Sequence, residues 1–400
     1  MAKNESSARG PIRIAVLGLG MAGGGMIAAI DASPHFELGA AADARASLRD
    51  RFRAQRNLPV FASERELFAY DGIDAVYVAT PHQMHEDHVR QAAAAGKHVI
   101  VEKPMALSSA ACDAMIQAVE RAGVTMIVGH SHGFDPAVQA MHEAIASGAY
   151  GRPAMINTFS YTDFIYRPRR PEELQTDKGG GIIFNQLPHQ IEILRLLAGA
   201  TVKSVRAAGY VLDPSRPTEG CLTAFVRFGN GTAASMTYSG YDRFDVDEFH
   251  DWVSESGLPK TARHGATQQR QAQFAEVAEE IAARSDHYGY GSERQQARER
   301  ASGARQPHFG SLIVTCGKAD LRQTPDGYAV YDRSGCREVR LPPDAYSGRL
   351  QVLEELYLAV AGIKPAVHDG RFGRDTLRVA LALLQSVRED REIAIAEIEP

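Results

Sequence analysis

The chain has 400 residues, of which 44% are hydrophobic and 23% charged, and its formal net charge is −5. This composition excludes a disordered chain, a coiled coil and a collagen-like rod, and the length fits two domains. A mildly acidic total lacks the basic surface that non-specific nucleic-acid binding requires, and it disfavours an anionic ligand unless positive charge is gathered in one place.

The predicted elements open with a strand over 12–17, followed at once by Gly18-Leu19-Gly20-Met21-Ala22-Gly23 and a helix to about Ala32. A strand over 36–42, a helix over 45–54, a short apolar β run over 75–79, a helix over 85–95 stopped by Gly96, and a strand over 98–101 come next. Cys112, Met115, Ile116 and Val119 fall at helical spacing, and 124–128 reads as a further strand. Strands alternating with helices imply a parallel sheet covered on both faces, so the first 132 residues read as one doubly wound domain. The pattern then changes. Helices are expected over 137–147 and 184–198, and β runs over 154–161, 202–212, 221–228, 232–239, 310–315, 328–333 and 336–341. Asn230-Gly231 is a hairpin signal between two of these runs. Strands joined by turns indicate a mostly antiparallel open sheet, so residues 133–400 read as a second α/β domain, closed by an amphipathic helix over about 373–389. Residues 285–308 are polar and arginine-rich, either a surface loop or a lid.

Cys112, Cys221, Cys316 and Cys336 have no C-x-x-C spacing, so neither a zinc site nor a redox pair is signalled, and the thiols read as buried or incidental. Met1 to Pro11 is polar without an apolar core, and no run of about 18 apolar residues occurs. A cytoplasmic location without a membrane partner is therefore expected.

Gly18, Gly20 and Gly23 form G-x-G-x-x-G between strand and helix. The first glycine permits the tight turn, the second lets a pyrophosphate approach the backbone, and the third lets helix and strand pack closely. Met21 and Ala22 then open the helix whose free N–H groups face the phosphates. Asp43 ends the next strand about 20 residues on, where a carboxylate bonds the ribose hydroxyls. Its charge favours NAD, with Arg45 nearby leaving NADP open. Thr80, Pro81 and His85 follow one strand and Glu102-Lys103-Pro104 the next, both at the carboxyl edge of the sheet where ligands bind. Further on, Gly179-Gly180-Gly181 leads to Asn185 and His189, four residues apart and so on one face of a helix that starts near Asn185 and tolerates Pro188 in its first turn. Histidine is suited to accept a proton near neutral pH. Arg167, Arg169 and Arg170 lie just upstream, and guanidinium forks bind carboxylates bidentately. His130 and His132 are candidates to line the same cleft. No third ligand accompanies them, and Asp245, Asp247, Glu248 and His250 read as a polar turn, so no metal is expected.

These motifs, in this order, resemble the glucose–fructose oxidoreductase/inositol dehydrogenase/MocA (Gfo/Idh/MocA) family over essentially the whole chain. The resemblance implies an N-terminal Rossmann domain, a C-terminal α/β domain with a large open sheet, an active site between them, and a homodimer or homotetramer formed through that sheet. It implies a catalytic or substrate-binding role for Lys103 and a catalytic role for His189. Many members carry an aspartate four residues before that histidine. Asn185 stands there and cannot ionise, which leaves His189 as base, Lys103 to lower the alcohol's pKa and Asn185 to orient the hydroxyl. The stretches from Ile14, Gly129, Tyr166 and Phe184 are similar to a branch that oxidises phthalate 4,5-cis-dihydrodiol to a catechol with NAD⁺. The expected function is thus oxidation of a carboxylated aromatic cis-dihydrodiol. The alternatives are a sugar, inositol or sugar-acid dehydrogenase of the same family, and a non-catalytic NAD-binding sensor, which the intact Lys103 and His189 disfavour.

Overall fold

The computed structural model describes residues 10–293, 295, 296, 303–343 and 348–399. The polar stretch before residue 10, and Arg294, Arg298 and Arg300 of the arginine-rich segment, lie outside them. In the first domain β1 (Ile12–Leu17), α1 (Met21–Ala32), β2 (Phe36–Ala42), α2 (Ala46–Gln55), β3 (Val60–Phe61), α3 (Glu64–Phe68), β4 (Ala75–Val78), α4 (His85–Ala94), β5 (His98–Glu102), α5 (Ser109–Ala122) and β6 (Met126–Gly129) alternate. The strands form a parallel sheet in the order β3-β2-β1-β4-β5-β6. Helices cover both faces, which is why β4 and β6 are buried along their whole length. The order reverses between β1 and β4, so the turns that leave these two strands flank the crevice of a doubly wound sheet.

The second domain runs α6 (Pro136–Ala146), β7 (Pro153–Tyr161), α7 (Gly181–Asn185), α8 (Leu187–Ala198), β8 (Val202–Tyr210), β9 (Cys221–Phe228), β10 (Ala233–Ser239), α9 (Ala266–Gln271), α10 (Val277–Tyr288), β11 (Ser311–Cys316), β12 (Asp320–Thr324), β13 (Gly327–Asp332), β14 (Gly335–Arg340), α11 (Arg349–Val360), α12 (Gly370–Glu389) and β15 (Ile393–Ala394). Its sheet has the order β14-β13-β12-β11-β7-β10-β9-β8-β15 among the described residues. Only the β7–β10 pair is parallel there. Asn230-Gly231 makes the β9–β10 hairpin, with Gly231 at φ 90°, where a side chain would be strained. One face of this sheet packs on α8 and α12, and on the other Met155 and Phe225 are half exposed.

Two differences from the sequence reading matter for the site. The helix expected over 184–198 is broken at Gln186, so Asn185 ends α7 while His189 sits in the first turn of α8. The arginine-rich segment is also not a free loop. It begins as α10, and the chain beyond is tied to the first domain: the Tyr290 N–H donates to Leu19 O at 3.0 Å, and Gln295 Nε2 to Gly24 O at 3.2 Å. Arg305 is held by both oxygens of Asp326, at 2.7 and 2.9 Å. Among the described residues no helix is long and apolar enough to cross a membrane.

The outer face of the parallel sheet is sealed from far along the chain. Ile14, Val16, Met26, Ile27 and Tyr77 form one core with Tyr290 and with Val352, Leu353 and Leu356 of α11. Leu353 is fully buried in that core. Leu353→Ala should therefore lower the unfolding free energy by about 3 kcal/mol, read from urea unfolding. A loss below about 1 kcal/mol, the range of surface changes, would show that α11 is not needed to seal the sheet.

Candidate active site

The glycine turn is shaped by close approaches. A Cβ on Gly18, at φ +102°, would lie 2.6 Å from Ala79 O, and one on Gly23 would lie 1.9 Å from Gly18 O. Nothing stands within 4 Å of a Cβ on Gly20, and Gly20 caps α1 without a side chain, so open space and free N–H groups face the same way. Met21 is exposed and Ala22 partly so beside it. Asp43 Oδ2 accepts the Leu19 N–H at 2.8 Å, and its Oδ1 accepts the Arg45 N–H at 2.9 Å. The Arg45 guanidinium forks onto both oxygens at 2.9 and 2.8 Å. Burial works to raise the Asp43 pKa, but the Arg45 contacts and the Leu19 N–H outweigh it and hold the carboxyl below its ordinary range. These residues fit a dinucleotide, with a pyrophosphate over Gly20 and a ribose at Asp43. Arg45 occupies Asp43, so a ribose diol must displace that fork.

At the sheet edge, Thr80 Oγ1 lies 2.9 Å from His88 Nδ1. His85 is wholly buried, with its nitrogens 3.0 Å from Thr80 O and 3.1 Å from Pro104 O. The sequence places His85 with Thr80 and Pro81 at the ligand-binding edge of the sheet. The structure instead makes it a clamp between the turn carrying Thr80-Pro81 and the one carrying Pro104. Glu102 is likewise engaged by the protein itself, accepting from Tyr77 Oη and, at 3.2 Å, from the Lys103 N–H.

Lys103 Nζ crosses to the second domain and donates to the main-chain oxygen of Asn185 at 2.7 Å. Burial lowers its pKa. The Asn185 side chain was expected to orient a substrate hydroxyl. Its Nδ2 donates to Gly179 O at 3.0 Å and Gly181 O at 2.8 Å, so it shapes the glycine turn and, through its carbonyl, aims Lys103. His189 is 6% exposed, and its buried Nδ1 has no hydrogen-bond partner among the described residues. Its ring meets those of His132 at 4.7 Å, edge-on, and Phe309 at 4.8 Å. Burial, then the charges of Lys103 and His132, push its pKa well below 6.5. His132 is the opposite case. Burial disfavours its charge, yet Asp135, 2.8 Å from Nδ1, and Glu255, 3.6 Å from Nε2, raise its pKa to about 10. A neutral imidazole therefore stands against an imidazolium, beside an ammonium.

The three arginines do not act together. Arg167 reaches this group: its Nε donates to Asp163 Oδ1 at 2.6 Å and its Nη2 to Glu255 Oε2 at 3.5 Å. Arg169 is buried over the Phe164 ring at 3.8 Å, with Nη2 on Phe164 O at 2.7 Å and Nη1 3.7 Å from Glu173. Burial brings its pKa down to about 10. Arg170 Nε donates to Glu173 at 3.3 Å, and Glu173 also takes Arg284 Nη2 at 2.8 Å. Arg169 and Arg170 are thus bound to an internal carboxylate. His130, a candidate to line the cleft, lies 3.5 Å from the fully buried Glu192 at the domain junction. Glu192 lies 3.2 Å from His368, which is 2.9 Å from Glu355. No metal-binding cluster occurs among the described residues, and Lys260 joins Asp245 to Asp247. Sequence reasoning missed Glu255, Asp163 and Phe309, none of which sits in a motif. A cavity of about 320 Å³ between α1, α2 and Tyr290 is lined by neither Lys103 nor His189.

Residues 12–130 match the Gfo/Idh/MocA model, an oxidoreductase family with an NAD-binding Rossmann fold, and residues 138–250 match the Gfo/Idh/MocA C-terminal domain. The chain is 37% identical over 379 residues, 94% of each chain, to the 1-carboxy-3-chloro-3,4-dihydroxycyclo hexa-1,5-diene dehydrogenase of Comamonas testosteroni. It is 32% identical over 178 residues to the NAD⁺-dependent scyllo-inositol 2-dehydrogenase of Bacillus subtilis strain 168, covering 44% of this chain and 51% of that one. A solved structure from Bordetella bronchiseptica RB50 is 44% identical, with a TM-score of 0.90 over 96% of this chain and 100% of the other.

Loss of the Asp43 carboxylate should be felt first in cofactor affinity. Asp43→Ala is expected to raise the KM for NAD⁺ about tenfold or more, the size of one or two hydrogen bonds to a charged group, and to shift the ratio of kcat/KM toward NADP⁺. An unchanged KM removes Asp43 from the ribose site.

Proposed function

The chain belongs to the Gfo/Idh/MocA oxidoreductase family, and on that premise we propose that it oxidises a carboxylated aromatic cis-dihydrodiol, of the phthalate 4,5-cis-dihydrodiol type, to the catechol. The observation that carries the proposal is the juxtaposition of Lys103, a neutral His189 and the cationic pair Arg167 and His132. The name of the Comamonas relative, a carboxylated dihydroxycyclohexadiene dehydrogenase matched along 94% of both chains, supports it.

In this reading one ring hydroxyl lies against Lys103 Nζ, whose third-party bond to Asn185 O fixes its direction and leaves protons for the substrate oxygen. The ammonium stabilises the alkoxide that develops as the proton leaves. His189, held uncharged by burial and by the charges of Lys103 and His132, takes that proton. NAD⁺, held at the Gly18–Gly23 turn and Asp43, would supply the acceptor for the hydride of the same carbon. The resulting hydroxy-dienone tautomerises to a catechol, and the gain of aromaticity drives the reaction forward. Asn185, Gly179 and Gly181 act only on Lys103, by setting the turn that presents its acceptor. A homodimer or homotetramer in the cytoplasm completes the proposal, with the half-exposed Met155 and Phe225 on the open sheet face supporting the association.

The decisive assay is NAD⁺ reduction with phthalate 4,5-cis-dihydrodiol beside myo-inositol and glucose. Turnover of a polyol alone sinks the substrate proposal. Lys103→Met should lower kcat by about 10²- to 10³-fold, the range of one lost electrostatic or proton-transfer contribution. The His189 pKa is depressed, so its proton-accepting form persists below pH 6.5, and kcat/KM should show no acid limb at 6.5. A limb there, retained in His189→Asn, would assign the base elsewhere.

A further inference from the structure

We infer that Glu255 is an internal stand-in for the substrate's carboxylate, and that the carboxylate subsite is the pair of cations it bridges, Arg167 and His132. The inference rests on the carboxylated-diol proposal and assigns the place where that carboxylate sits.

The contacts divide into tight and loose. His132 Nδ1 is held by Asp135 at 2.8 Å and Arg167 Nε by Asp163 at 2.6 Å, both within the range of charge-assisted hydrogen bonds. Each cation is thereby fixed by an anion of its own. Glu255 adds a second, looser contact to each, one oxygen 3.6 Å from His132 Nε2 and the other 3.5 Å from Arg167 Nη2. The Glu255 side chain is 35% exposed, so solvent reaches it. It rises from a tight turn in which the Ser254 N–H bonds Leu258 O at 2.8 Å and the Gly257 N–H bonds Ser254 O at 2.7 Å. That turn fixes the backbone through main-chain bonds and uses no atom of the Glu255 side chain.

Two other glutamates of the arginine region, Glu173 and Glu280, are built in. Glu173 accepts from the Arg170 N–H at 2.9 Å and from Arg284 at 2.8 Å. Glu280 accepts from the Arg169 N–H at 2.6 Å and from Arg216 at 2.8 and 3.1 Å. Exchanging either for a ligand would break several short bonds at once. At Arg167 and His132, by contrast, a planar carboxylate spans two cations without a short bond, with the His132 ring edge-on to His189 next to it. A ring carboxylate that displaced Glu255 would bridge the same two donors and lie beside the proposed base. Both carboxylates cannot stay, because two like charges would face one pair of cations.

Benzoate, a ring carboxylate without a diol, is the probe, titrated calorimetrically into the full chain saturated with NADH. Glu255→Gln removes the competing charge and is expected to tighten benzoate about tenfold, while Arg167→Met weakens it by a similar factor. Glu255→Asp, whose shorter arm cannot bridge both cations, should also tighten it and serves if the glutamine variant does not fold. In Glu255→Gln the ratio of kcat/KM for a carboxylated over an uncarboxylated cis-dihydrodiol should rise. Unchanged or weaker benzoate binding in the Glu255 variants, or unchanged binding in Arg167→Met, overturns the inference. Turnover of a polyol alone by the wild-type protein overturns the substrate proposal, a result read separately from the benzoate titration.

Discussion

A part-buried lysine must be held without a carboxylate partner to cancel its charge, and this constraint runs through the site. Lys103 leaves the end of β5 and meets a carbonyl, not a carboxylate, when its Nζ bonds Asn185 O across the domain boundary. A carboxylate partner would neutralise the charge and restore the ordinary pKa. A carbonyl directs the group and leaves its charge available. That carbonyl is in place because α7 ends at Asn185, and α7 starts from a glycine turn that no other residue could make. A Cβ on Gly181, at φ +71°, would sit 2.2 Å from Thr218 Oγ1. Asn185 then ties Gly179 and Gly181 back to itself. The same charge, with burial, helps to keep His189 unprotonated.

The two imidazoles at the centre show how far environment outweighs residue type. His132 and His189 touch, ring to ring, and are both almost fully buried. One has two acids at its nitrogens and is charged, while the other has a nitrogen with no partner and two cations nearby. Their charges are therefore set apart rather than shared, which suits one to hold an anion and the other to accept a proton. The buried chain from His130 through Glu192 and His368 to Glu355 repeats this alternation at the domain junction.

Much of this architecture can be read from the residues. The glycine triplet, Asp43 and the Glu102-Lys103-Pro104 strand end carry strong local signals, since each is forced by a turn or by a charge at the end of an apolar run. The strands of the second sheet show the alternation of a half-buried face, as in β9. Elements too short for a period escape such reading: β3 has two residues, and α3 has five. β12, Asp320-Leu-Arg-Gln-Thr, has one aliphatic residue to mark it. In the site, three arginines within four positions look like one patch, but spacing cannot reveal that the neighbouring Glu173 folds back onto Arg170 or that Glu280 returns from far along the chain to hold Arg169. His130 and His132 would share a face on a continued strand. β6 ends at Gly129 and Ser131 is helical, so the two rings part. Glu255, in a Ser-Glu-Ser turn, carries no signal, because its role depends on what folds against it.

The sealing of the nucleotide-binding core by Tyr290 and α11 has a consequence for how the molecule is made. A nascent chain emerges from its N-terminus, and domains made in one piece fold in that order. Here the glycine turn and the strands around it emerge early, but the residues that cover their outer face come from the last third of the chain. Until these emerge, a wall of Ile14, Met26, Ile27 and Tyr77 stays wet, and closing it requires a loop of great length. The two functional halves are consecutive in sequence, yet the first is finished only when the second is nearly complete. Final folding of the dinucleotide-binding half thus depends on the other half.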